Sequence, residues 1–124
     1  MSAYNQTWFD PPAPVALVTL RHHETGAKLA DVPMLLDSGA DITLVPATAV
    51  QAIGVTLFGQ EYELTGYDDK PTFSSAVYLE LIWDKRTFRG RYAVMEQTYG
   101  IIGRNLLNFL SLHLDGPKLS WWIR

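Results

Sequence analysis

The feature that most constrains this chain is an apolar run that stops on a carboxylate. Met34-Leu35-Leu36 passes directly into Asp37-Ser38-Gly39-Ala40-Asp41. A short apolar run bounded by turn residues is a buried strand. Asp37 therefore sits at the rim of a core, where ionisation is penalised. Gly39 permits a sharp turn or a close approach to the backbone. Ser38 can bond neighbouring backbone and fix that turn. By itself the stretch reads equally well as a plain turn between strands or as a functional acid.

Short strands surround it. Val15–Arg21 is apolar and β-favouring, the turn Glu24-Thr25-Gly26 follows, and Lys28–Leu36 returns as a second strand. Thr43–Val45 is a short strand, and Ala47–Ile53 has helix composition with Gly54 as its stop. Gln60–Leu64 is a strand leading to a polar tip at Gly66–Pro71. Phe73–Trp83 alternates, with Val77, Leu79, Leu81 and Trp83 on one face and Tyr78 and Glu80 on the other. After the turn Asp84-Lys85-Arg86, Thr87–Val94 alternates again, with Phe88, Tyr92 and Val94 inward and Arg89 and Arg91 outward. Arg104–Leu110 reads as a short helix. Leu112–Leu114 and Leu119–Ile123 read as a terminal hairpin about Asp115-Gly116-Pro117. The pattern is a mostly-β domain with one or two short helices. The length, 124 residues, suits one domain, and 48% hydrophobic residues suffice for a core. We divide the chain into an N-terminal arm, 1–14, and a domain, 15–124. The arm carries an apolar pair, Trp8-Phe9, that hints at docking.

A second stretch gives the first its meaning. Tyr99-Gly100-Ile101-Ile102-Gly103-Arg104-Asn105-Leu106-Leu107 is an apolar strand, a glycine and a short helix. In this order, Leu35-Leu36-Asp37-Ser38-Gly39-Ala40-Asp41 and Ile101-Ile102-Gly103-Arg104-Asn105-Leu106-Leu107 resemble the two motifs of the retropepsin-like aspartic proteases. That is the family of the retroviral proteases and their cellular and bacterial relatives. The resemblance spans about Val15 to Ile123, and it implies a single-domain acid-protease barrel with a flap hairpin.

Carboxylate-driven peptide hydrolysis needs two acids, one as base towards water and one holding a proton for the carbonyl oxygen. The chain has a single Asp-Ser-Gly, so the second acid must come from another copy across a two-fold axis. The resemblance implies a homodimeric aspartic endopeptidase with Asp37 as the catalytic acid. It gives Ser38, Gly39 and Arg104 supporting roles, with Arg104 paired to Asp41. Gly39, Ala40, Asp41 and Ile101 would contact a peptide or protein substrate. Glu61–Ser75 would form the flap, with Gly66, Tyr67 and Asp68 near substrate. Val32 and Leu57 read as core. The terminal hairpin would pack on its own core or, as the single acid favours, pair with the second copy.

Other classes fall away. Cysteine is absent, which removes disulfides and thiol chemistry. The net charge is −3 with no Lys/Arg run, against nucleic-acid binding. No apolar stretch approaches the roughly 20 residues that span a membrane. The polar start lacks a secretory h-region, so the expected location is cytoplasmic. His22-His23-Glu24 resembles a metal site, but neighbours on a strand point to opposite faces. No metal and no cofactor are expected. Two alternatives stay open: a dimeric peptide-binding or scaffold module of the same fold, and a structural barrel with Asp37 as a turn residue.

Overall fold

The computed structural model describes residues 1–65 and 71–124, with backbone alone over 58–65 and 71–74. The strands are β1 (Ser2–Asn5), β2 (Ala13–Arg21), β3 (Lys28–Leu36), β4 (Leu44–Pro46), β5 (Phe58–Thr65), β6 (Pro71–Trp83), β7 (Arg86–Met95), β8 (Gly100–Ile102), β9 (Leu112–Asp115) and β10 (Ser120–Ile123). Two short helices join them, α1 (Ala47–Ile53) and α2 (Arg104–Leu107).

Six strands, in the order β6-β7-β4-β8-β3-β2, close on themselves because β6 also pairs with β2. Closure removes sheet edges from the barrel. β6 is long enough to serve both purposes. Its second half bonds β7, while Pro71–Ser75 pairs only with β5 and forms a two-stranded hairpin. The tip expected to touch substrate, Gly66, Tyr67 and Asp68, lies outside the described residues.

The alternation of β6 sets the core. Val77, Leu79 and Leu81 are fully buried and meet Val18, Leu20, Met34, Val45 and Ile102. Val32 joins them, but Leu57 does not: it is 51% exposed and borders a cavity of about 380 Å³ with Leu44, Val50, Val55 and Val94. The chain has already left α1 at Leu57, and nothing draws its side chain inward. α1 lays Ala47, Ala49, Val50 and Ile53 against the barrel and ends at Gly54, whose φ of 74° is the left-handed conformation glycine adopts without penalty.

Glu80, on the outer face, is nonetheless buried. Three adjacent strands bring Arg21, Glu80 and Arg89 into register. Arg21 Nε donates to Oε1 at 2.8 Å, and Arg89 Nε and Nη2 donate to Oε2 at 2.8 and 2.6 Å. Those hydrogen bonds, Arg21's first, pull its pKa down to about 2.

β1 lies in the segment read as an arm. It pairs with β10 and with the start of β2. Residues 6–12 thus form a loop closed at its base by Asn5 and Ala13. The terminal hairpin is β9–β10, with Trp121 buried against Trp83 at 6.3 Å. β10 is bonded on both sides, and β9 is the last strand of the sheet. His22 and His23 lie past the end of β2, so strand alternation does not separate them. Their rings stack 5.3 Å apart, and His22 Nδ1 accepts the Glu24 N–H at 3.1 Å.

Candidate active site

β3 and β8 run parallel at the centre of the barrel, with Leu35 opposite Ile101 and Leu36 opposite Ile102. The pairing continues one residue further, where the Asp37 N–H donates to the Ile102 carbonyl at 3.0 Å. The chain then turns. The Ala40 N–H donates to the Asp37 carbonyl at 3.1 Å, and the Gly39 N–H donates to Asp37 Oδ1 at 3.0 Å. This Asx arrangement is the local chemistry expected of Asp before a tight turn. A Cβ at Gly39 would stand 3.1 Å from that same oxygen, so the turn is built for glycine. Asp37 is half-buried, and among the described residues no donor reaches its Oδ2.

The second motif braces the first. The Arg104 N–H donates to the Ala40 carbonyl at 2.8 Å, and Arg104 Nη1 donates to the Ser38 carbonyl at 2.6 Å. The expected Arg104–Asp41 ion pair is not formed within the chain. Asp41 is exposed and can stay hydrated, whereas the Ser38 carbonyl gains a charge-assisted donor. Ser38 and Gly39 are exposed; Ala40 and Ile101 are half-buried.

Residues outside both motifs complete the brace. Thr43 is 1% exposed. Its hydroxyl donates to Asn105 Oδ1 at 2.7 Å and accepts the Gly103 N–H at 3.1 Å. Gly103 lies so close to the Ile42 carbonyl that no Cβ fits. A hydroxyl two residues past an Asp-Ser-Gly-Ala-Asp stretch is the only hint the sequence gives of Thr43. Leu35 and Tyr99 were also missed. Both are half-buried and flank the acid on the same sheet as Ile101, while Gly100 and Ile102 point into the core.

Chemically, the turn offers a fixed carboxylate with one oxygen held and one without a donor, beside apolar side chains. Among solved structures, the chain is similar to the EIAV protease complexed with the inhibitor HBY-793. The two share 18% identity with a TM-score of 0.58, over 86% of this chain and 91% of that chain. No protein-family model and no curated protein matches. The closed six-stranded barrel with its two short helices is a retropepsin-like fold.

Proposed function

We propose that the chain is a member of the retropepsin-like aspartic proteases and acts as a homodimeric endopeptidase. Two Asp37 side chains, one from each copy, hold a water between them. One carboxylate takes its proton, and the other acid protonates the carbonyl oxygen of the scissile peptide. The observation that carries this reading is the Asp37 turn. Its backbone is tied to Ile102, its Oδ1 is held by Gly39, and Arg104 braces the loop through the Ser38 carbonyl. A plain surface turn needs no such bracing.

The reading assigns dimer contact to the open side of β9, since β10 is already bonded on both sides. Leu114 and Phe109 stand 54% and 65% exposed nearby, as apolar surface awaiting a cover. Ser38 supports the paired loops, and Gly39, Ala40, Asp41 and Ile101 receive the peptide. The β5–β6 hairpin closes over it and excludes water.

The test is incubation with a diverse peptide mixture from about pH 3 to 8, comparing wild type with Asp37→Asn. Hydrolysis is expected on the acidic side, because one acid of the pair must keep its proton. Specific activity should fall on dilution as the dimer separates. Asp37→Asn should abolish hydrolysis and keep the fold. Cleavage that survives in Asp37→Asn refutes the assignment, and peptide binding without cleavage at any pH makes the chain a scaffold of the same fold.

A further inference from the structure

The loop 6–12 presents aromatic rings to the acid's own sheet. After β1 the chain reverses, with Asn5 Oδ1 accepting the Thr7 and Trp8 N–H groups at 3.0 and 2.8 Å. The reversal delivers Trp8 and Phe9 to Tyr99. Trp8 stacks on the Tyr99 ring at 6.3 Å, and Phe9 meets it edge-on at 5.2 Å. The three rings form one cluster, anchored at the loop base by the pairing of Asn5 with Ala13. Yet Trp8 remains 50% exposed. A large ring held in place and left half in water is a surface prepared for an apolar partner.

Position identifies that partner. Tyr99 precedes β8 by one residue, and Ile101 lies two residues on. Both are half-buried, while Gly100 and Ile102 between and beyond them are buried. The cluster is therefore continuous with the apolar side chains beside Asp37. An extended peptide places side chains i and i+2 on one side, about 7 Å apart. Ile101 and Tyr99 follow that same two-residue repeat.

Resting on the protease reading above, we infer that Trp8, Phe9 and Tyr99 form a recognition shelf for a large apolar or aromatic side chain of the peptide substrate. That side chain sits two residues from the one resting on Ile101. The loop is thus part of the specificity apparatus. Preorganised rings lose little freedom on binding, so a matching aromatic residue gains contact at low entropic cost.

The test uses peptides identical except for Phe or Ala at each position in turn, with the full chain as wild type, Trp8→Ala, Tyr99→Ala and Trp8→Phe. For wild type, the Phe-to-Ala ratio of kcat/KM should reach about ten at a position two residues from one flanking the cleaved bond. It should fall to near one in Trp8→Ala and Tyr99→Ala, and persist in Trp8→Phe, which keeps a ring. Far-UV circular dichroism checks that each variant folds. Binding of the same peptides to Asp37→Asn, with and without Trp8→Ala, separates the two ideas. No cleavage by wild type, with the Phe preference kept in binding, sinks the protease reading and spares the shelf. An unchanged ratio in both alanine variants overturns the shelf. So does a shift of Trp8→Ala to smaller species in sedimentation, which would make the rings a contact between copies.

Discussion

Thr43→Val isolates the polar brace behind the acid. Valine keeps the branched shape of threonine and removes only the hydroxyl. Two groups lose their partner, the Asn105 side chain and the Gly103 N–H. Asn105 is exposed and can turn to water, at a cost of about 1 kcal/mol. Gly103 is buried, and an N–H left there without an acceptor costs about 1–3 kcal/mol. The substitution should therefore destabilise the chain by about 2–4 kcal/mol, a fall in Tm of roughly 10 °C for a domain of this size. Thr43→Ser supplies the control. It keeps the hydroxyl and gives up one buried methyl, at about 1 kcal/mol. Packing alone ranks valine as the milder change, and the hydrogen bonds rank serine as the milder one. Urea unfolding followed by tryptophan fluorescence measures both, and faster amide exchange at Gly103 would locate the damage. If Thr43→Val proves as stable as Thr43→Ser, the brace contributes nothing and the reasoning fails.

Gly103→Ala should cost about 3 kcal/mol, because the new Cβ meets the backbone of Ile42 and lies 3.0 Å from the Ala40 carbonyl, and backbone cannot swing away. Gly90→Ala has open space at its Cβ and should lie within about 0.5 kcal/mol of wild type in the same urea assay. The Arg21–Glu80–Arg89 cluster predicts a pH signature. Glu80 titrates near 4.5 when unfolded and near 2 when folded, so its stabilisation is complete above about pH 4.5 and lost as pH falls towards 2. The Tm gap between wild type and Glu80→Gln should close over that window, and a constant gap would show that the carboxylate charge is irrelevant.

What the sequence reveals depends on how local the cause is. α1 and its stop at Gly54 were legible, because side-chain pattern and a left-handed glycine are local matters. So were the buried face of β6 and the acid at the end of β3. β1 was not. Ser-Ala-Tyr-Asn has little strand character, and the segment becomes a strand because β10, more than a hundred positions away in sequence, offers its edge. Glu80 shows the same limit. Alternation put it outward, and two arginines from separate strands bury it. Arg104 was rightly linked to the first motif, but through a carbonyl, which sequence cannot display as a partner.

The bonds that fix the Asp37 turn have a common character. Ile102, Gly39, Ala40 and Arg104 all act on or through backbone groups. Backbone bracing orients the acid without placing a second charge beside it. A lysine or arginine on Asp37 would settle its ionisation within one copy and compete with any partner acid. Leaving Oδ2 without a donor does the reverse: the carboxylate's remaining hydrogen-bonding capacity can be met only by water, substrate or another acid. Such a group is poorly used as a structural turn residue, since half of its acceptor capacity goes unspent at the rim of a core. It is well used as one half of a pair whose shared proton depends on both halves being held rigidly and neither being neutralised beforehand. The economy of the turn, firm in position and open in charge, is therefore the strongest reason to look for chemistry at Asp37.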